Sequence, residues 1–512
     1  MFPGTHALTT PSKPALIMAA SGHEVTYAQL EDRSLRIANW LRGKGFQRGD
    51  VVALLSDNDP RVFDVYWAAQ RAGLYISAVN FHLHTDEIRY ILENSGAKCL
   101  FLGNIGANVS GAWKDLPSLP WRVSFVPGTP GFESIEQVME SSSTQRPEHE
   151  PRGADMLYSS GTTGRPKGVR PPLPDRAVSE PGDTMVALFG AHFGCSRDTV
   201  YLSPAPLYHA APLRTCASVQ ALGGTVIVMD KFEPEAALAT IEKYGATVSQ
   251  WVPTMFVRML KLDPNVRARY DISSMKVAIH AAAPCPVEVK HQMIQWWGPV
   301  LFEYYSCTEV NGMTIIRPED WLKKPGSVGK SALGIVHICD EAGSELPIGE
   351  DGLVYFEREA MPFNYHGDPE KTRSTQHPNH PTWTAVGDIG HVDLDGFLYL
   401  TDRKAFMIIS GGVNIYPQEI ENALAMHPAI LDIAVIGVPD AEMGEQVKAV
   451  ITLAKGYSAS PELAQEIVDF TKSRVASYKA PRSVDFVDAL PRTPTGKLLK
   501  GDVRKLYWPA KV

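Results

Sequence analysis

Cysteine is scarce: six residues in a chain of 512, at Cys99, Cys195, Cys216, Cys285, Cys307 and Cys339. They are scattered, with no CxxC pair and no histidine cluster at zinc spacing, which excludes a disulfide scaffold and a zinc ribbon. A reducing, cytoplasmic location fits this usage. Long apolar runs are also missing. The only early one, Ala15 to Ala20, is too short to span a bilayer and lacks a basic segment before it, so neither a transmembrane segment nor a signal peptide is expected. Nor is there a basic excess. The net charge of −8, from 49 cations against 57 anions, argues against a nucleic-acid binder. One local exception is residues 470–512, with ten Lys and Arg against three Asp and Glu. That excess reads equally as a solvated face or as a site for anionic cofactors.

What is present is an ordinary globular composition, 44% hydrophobic and 21% charged, long enough for two to four structural units. From Val25 to about Leu102, amphipathic stretches such as YAQLEDRSLRIANWLRGKG alternate with short β-rich runs such as VVALLS. That rhythm predicts βαβ units around a mostly parallel sheet, and it recurs from TVIVMD at 225–230 to MKVAIHAAAP from 275. After Gly352 the texture turns strand-like. From about Asp402 the order helix, strand, loop, strand, helix predicts a small α+β unit, so the expected domains are 1–401 and 402–512.

Residues 159–168, SSGTTGRPKG, suit neither helix, strand nor core. Glycine lets backbone N–H groups approach a ligand, hydroxyls add donors, and Lys167 adds a point charge, so a polyphosphate is the natural occupant and a mobile surface loop the plain alternative. The P-loop of NTPases is excluded, because Gly164 is followed by Arg165 and Pro166 rather than Lys. GSVGKS at 326–331 imitates that P-loop's end, but Lys324 stands where its first glycine belongs, and a turn is expected there.

The stretch YSSGTTGRPKGV resembles the phosphate loop of the acyl-adenylate-forming superfamily, which includes acyl-CoA synthetases, aryl-CoA ligases, adenylation domains of peptide synthetases and firefly luciferase. PLYH at 206–209, YSCTE at 305–309, VGDIGHVDLDGFLYLTDR at 386–403 with IISGGVNIYPQEIE behind it, and PRTPTGK at 491–497 follow in the family's order. The resemblance spans nearly the whole chain. It implies an α/β fold: a large N-terminal domain of mostly parallel α/β layers with a β subdomain, and a small mobile α+β lid. A carboxylate would attack the α-phosphate of ATP to give acyl-AMP, and a thiol would then displace AMP.

The same resemblance carries candidate roles. Ser159, Ser160, Gly161, Thr162, Thr163, Gly164 and Lys167 would hold the phosphates. Lys497 would be the catalytic lysine. Glu309 would hold Mg²⁺, Thr308 would bond the α-phosphate, and Tyr305 would stack on adenine, although Ser306 replaces the usual glycine. Asp388 would take the ribose hydroxyls, with Arg403 as its partner. Gly411 and Gly412 would let the pantetheine arm of coenzyme A pass. His209 would sit between the acyl pocket and the adenylate. Ala282, Ala283 and Pro284 would line the adenine and acyl sites, with Ala281 where glycine is common. Each has a plainer reading, from a core aromatic at Tyr305 to a surface ion pair at Asp388 and Arg403.

The expected function is therefore an ATP-dependent acyl-CoA synthetase acting on a hydrophobic carboxylic acid, either a medium or long fatty acid or a bulky aryl or ring-bearing acid. The alternative is a free-standing adenylation protein that loads a carrier protein. Against it, PLYH occupies the region where amino-acid-activating members keep an FDxS aspartate, and no carrier domain is expected after Lys497. A non-catalytic relative would be expected to lose Lys497 or Glu309. A luciferase-like oxygenase is a rarer elaboration. Homodimerisation is left open.

Overall fold

The computed structural model describes residues 1–105, 119–159, 166–492 and 498–508. The alternating segments fold as expected into α/β layers. The strands Val51–Leu55, Tyr75–Val79, Ala97–Leu102, Trp121–Ser124, Glu133–Ser134 and Ala154–Asp155 pair in parallel to form a six-stranded sheet. Every residue of Val51–Leu55 is buried, as a parallel strand covered on both faces requires. Helix Tyr27–Gly43 begins at Thr26, whose side chain and Gln29 form a capping box, and it buries Leu30, Ile37, Ala38 and Leu41 on one face.

A second sheet has 14 strands and changes character along its width. Beyond the antiparallel edge strand Glu24–Thr26, its first half is parallel: Pro14–Met18, Thr225–Val228, Val200–Ser203, Val248–Trp251, Val277–His280 and Leu301–Tyr305. From Leu301–Tyr305 onward the pairing is antiparallel, through Met313–Ile316, Ser327–Leu333, Leu398–Arg403, Asp388–Val392, Gly352–Glu357 and Ile335–Cys339. The change falls at Tyr305, the first residue of YSCTE.

The expected turn at 326–331 is corrected here, because Ser327–Leu333 is a strand. It departs from a plain strand at Gly329, where φ is +98° and the register shifts. A Cβ at that glycine would lie 2.1 Å from the carbonyl oxygen of Ile315. The glycine that imitates a phosphate loop is thus a β-bulge where two backbones touch.

Residues beyond 407 supply a separate five-stranded sheet, with Ile430–Asp440 and Gly444–Leu453 as its long central pair. After a register shift between Ile430 and Asp432, the strand Ile430–Asp440 alternates from Ile433 to Val438. Ile433 and Val435 pack with Ile420 and Ile467 on one face, while Ala434, Ile436 and Val438 pack with Val503 on the other. Helices Pro417–Leu424 and Pro461–Lys472 cover the first face and Lys500–Tyr507 the second. The C-terminal basic excess is largely neutralised. Lys479 pairs with Glu419, Arg492 with Asp432, Lys500 with Glu421 and Arg504 with Glu445.

Candidate active site

The antiparallel strands Leu157–Ser159 and Lys167–Arg170 pair with Lys167 opposite Ser159, and Asn364–Tyr365 adds a third strand. Ser160, Gly161, Thr162, Thr163 and Gly164 lie outside the described residues, as does Lys497. Lys167 rises from its strand toward the Tyr365 ring, 5.6 Å from its centroid. Burial, then the neighbouring Lys371 charge, lower the Lys167 ammonium from its usual range, and Glu309 opposes this. That balance favours an anionic partner for Lys167.

Glu309 is buried, and Tyr365 donates its hydroxyl to Glu309 Oε1 at 2.8 Å. Tyr305 donates to Asp388 Oδ2 at 2.6 Å, and Arg403 Nε donates to Asp388 Oδ1 at 2.9 Å. The Asp388 charge, followed against it by burial, raises the Arg403 guanidinium further, with Tyr305, Cys307 and Glu309 also contributing. Burial drives the Tyr305 phenol well above its ordinary value, so it stays a donor to Asp388. Tyr305, Glu309, Asp388 and Arg403 therefore form one electrostatic neighbourhood at the point where the large sheet changes from parallel to antiparallel. Strand Asp388–Val392 and the end of Leu398–Arg403 deliver the pair across a single ladder, with Asp388 opposite Arg403.

The turn after Tyr305 is held in an uncommon conformation. Val310 has φ +49°, a left-handed value that a β-branched residue rarely adopts and that costs on the order of 1–3 kcal/mol. Arg358 Nη1 donates to the Val310 carbonyl at 3.1 Å, and Asn311 Nδ2 to the Thr384 carbonyl at 2.9 Å. Ser306 donates to the Gly312 carbonyl at 2.7 Å, so the serine in place of glycine closes the turn.

Ala282 is the other left-handed non-glycine among the described residues, at φ +73°. Ala282 and Pro284 are exposed and Ala283 half-buried, whereas Ala281 is buried. This loop stands on a buried base. Lys290 Nζ donates to Glu303 Oε2 at 2.6 Å, and the ring of fully buried His280 lies 3.3 Å from the same oxygen. Burial, then the Lys290 charge, hold His280 well below its usual value, so it is neutral near pH 7.

His209 is the N-cap residue of helix Ala210–Leu222, its ring 4.5 Å from that of Tyr208. Asn58 fixes the approach, donating to Ala205 and Met229 carbonyls and accepting from the Leu207 amide at 2.8 Å. Gly411 and Gly412 occupy the tip of the hairpin Ile408–Ser410 to Val413–Ile415, exposed and with positive φ.

Residues 5–365 match the AMP-binding enzyme family, and residues 419–497 match the AMP-binding enzyme C-terminal domain. The chain belongs to the AMP-binding enzyme family. This AMP-binding enzyme is 33% identical over 506 residues to a feruloyl-CoA synthase from Amycolatopsis sp, covering 97% of this chain and 96% of that one. It is 31% identical over 506 residues to the long-chain-fatty-acid–CoA ligase FadD13 of Mycobacterium tuberculosis, covering 98% and 97%. Its fold superposes on the crystal structure of the anthranilate CoA ligase AuaEII in complex with anthranoyl-AMP with a TM-score of 0.85, at 25% identity over 99% of this chain and 96% of that one. The AMP-binding enzyme is an AMP-forming acid–thiol ligase.

Among the residues that sequence reasoning proposed, the structure brings Lys167, Tyr305, Glu309, Asp388 and Arg403 together. It leaves Gly411 and Gly412 on an exposed tip. Sequence reasoning missed Tyr365 and Arg358, which carry no local motif.

Proposed function

We propose that this AMP-binding enzyme converts a hydrophobic carboxylic acid to its acyl-CoA through acyl-AMP and pyrophosphate. The observation that carries the reading is the Asp388 carboxylate, gripped by Tyr305 and Arg403 and sharing an electrostatic neighbourhood with Glu309. Each carboxylate oxygen keeps lone pairs that a vicinal diol can donate to, which suits the ribose of ATP. Tyr305 supplies an aromatic wall beside it for adenine. Glu309 fits Mg²⁺, because a hard oxygen ligand backed by Tyr365 would take one position while waters and phosphates fill the rest. Bound there, Mg²⁺ would neutralise part of the polyphosphate charge.

Lys497 would bring carboxylate and α-phosphate together, with Thr308 bonding the α-phosphate and His209 at the boundary between acyl group and adenylate. Residues 402–512 would act as a mobile lid on 1–401, turning Gly411 and Gly412 inward for the thioester step. The small side chains of Ala281, Ala282 and Ala283 leave room for a bulky acyl group. That, with the feruloyl, anthranilate and long-chain substrates in the relatives' names, favours an aryl or long-chain acid over acetate. The six cysteines, all free thiols, favour the cytoplasm.

The test is a panel of aryl, ring-bearing and fatty acids assayed for AMP release with and without CoA. Acid-dependent AMP release stimulated by CoA, with acyl-CoA as product, is expected. Turnover only in the presence of a carrier protein, or only with acetate, would overturn the reading.

A further inference from the structure

Arg214 has no part in the function proposed above, yet it lies beneath it. Its side chain leaves helix Ala210–Leu222 in the turns after His209 and is only 13% exposed. Nε donates to Asp155 Oδ2 at 2.5 Å, and Nη1 donates to the Thr308 carbonyl at 3.1 Å. Asp155 ends the short strand Ala154–Asp155, just before the strand Leu157–Ser159 that leads into the phosphate loop. Thr308 immediately precedes Glu309. One guanidinium therefore ties together the helix after His209, the root of the phosphate-loop strand and the turn that carries Glu309.

The chemistry suits the task. A planar fork holds two acceptors at a fixed angle, which an ammonium on a flexible stem cannot do. Thr308 also needs holding, because the next residue but one, Val310, is left-handed at φ +49° and the turn gains by relaxing. Arg358 restrains the far side of that turn through the Val310 carbonyl. Arg214 restrains the near side.

We propose that Arg214 is a positioning residue for adenylation: it fixes the Thr308 carbonyl so that Thr308 and Glu309 face the phosphate-loop strand, while Asp155 sets the angle of the guanidinium. This rests on the function proposed above. The wild type must first show acid-dependent ATP–pyrophosphate exchange, and its absence would count against that function rather than against Arg214.

The experiment compares Arg214→Gln, Arg214→Lys and the double variant Arg214→Gln with Asp155→Asn, each in the full chain. ATP–pyrophosphate exchange at varied Mg²⁺ is measured beside acyl-CoA formation from supplied acyl-AMP and CoA. For Arg214→Gln we expect exchange to fall on the order of 10- to 100-fold, the size of effect that follows displacement of a reacting group by about 1 Å. The Mg²⁺ needed for half-maximal rate should rise, and the thioester step should stay within about threefold of wild type, since the β- and γ-phosphates have left by then. Arg214→Lys, which keeps the pair with Asp155, should recover part of the exchange.

The double variant removes both half-buried charges together, so it also decides the matter if Arg214→Gln alone fails to fold. Low exchange in a folded double variant supports positioning. Exchange restored to wild-type level would show that charge balance alone mattered and overturn the proposal. Equal loss of both half-reactions in folded protein would overturn it as well.

Discussion

Glu309 is acceptor-only when ionised, and the Tyr365 hydroxyl already occupies one of its oxygens. Replacing it by glutamine preserves the shape and that bond while removing the charge. Glu309→Gln should lower ATP–pyrophosphate exchange by about a hundredfold, on the order of 3 kcal/mol of transition-state stabilisation. Circular dichroism should be unchanged, and added Mg²⁺ should restore only part of the rate. A variant that exchanges normally would remove Glu309 from the site. Motif reading singled out Glu309, Tyr305, Asp388 and Arg403 because each lies inside a run of residues that are characteristic together. It missed Tyr365 and Arg214 because their significance lies in partners 56 and 94 residues away in the chain. No spacing rule connects such positions before the sheets are assembled.

Helix Arg61–Arg71 shows how much a single element can tolerate. All but its first residue are buried, including Asp64, which has no hydrogen-bond partner for either carboxylate oxygen among the described residues. Arg33 Nη1 is 3.8 Å away. Burial raises this carboxyl to about 7, opposed mainly by the Arg33 charge. An acid with a folded pKa above its unfolded value binds more protons when folded, so stability falls as pH rises from about 4 to 7, by at most about 4 kcal/mol. Asp64→Asn removes the penalty. Its Tm should exceed that of wild type at pH 8, and the gain should shrink toward zero as the pH approaches 4. A gain that is independent of pH would contradict the assignment.

The elements themselves were largely legible, because the unbroken apolar run Val51–Leu55 is buried throughout, while the 3.6-residue period of Tyr27–Gly43 and the alternation from Ile433 to Val438 coincide with burial on defined faces. The strand Ser327–Leu333 was not. Its glycine at 329 carries a positive φ inside a ladder, which in sequence is indistinguishable from a turn glycine. The C-terminal basic excess left two readings open, because the window alone does not show its partners. Carboxylates at Glu419, Asp432 and Glu445, upstream of the counted window, neutralise much of it.

Across the whole molecule, the reading requires two half-reactions to use one adenylate and two lid orientations. Replacing Ala405, in the turn after Arg403, with proline would fix φ where the chain passes between the two units. Ala405→Pro should slow the thioester step far more than adenylation. Lys497→Ala should do the reverse, losing acyl-AMP formation while turning synthetic acyl-AMP and CoA into acyl-CoA at close to the wild-type rate. The two defects are measured by ATP–pyrophosphate exchange and by single-turnover thioesterification. Two variants with the same profile would leave no support for a rotating lid.

The central claim is that the carboxylate itself attacks the α-phosphate, and an isotope follows that bond directly. An acid accepted in the panel, labelled with ¹⁸O in its carboxyl group, is turned over with ATP and CoA, and the phosphorus products are analysed by mass spectrometry. The account predicts one ¹⁸O per turnover in AMP, with none in pyrophosphate. Label appearing in orthophosphate alongside ADP, or unlabelled AMP formed together with acyl-CoA, would contradict it.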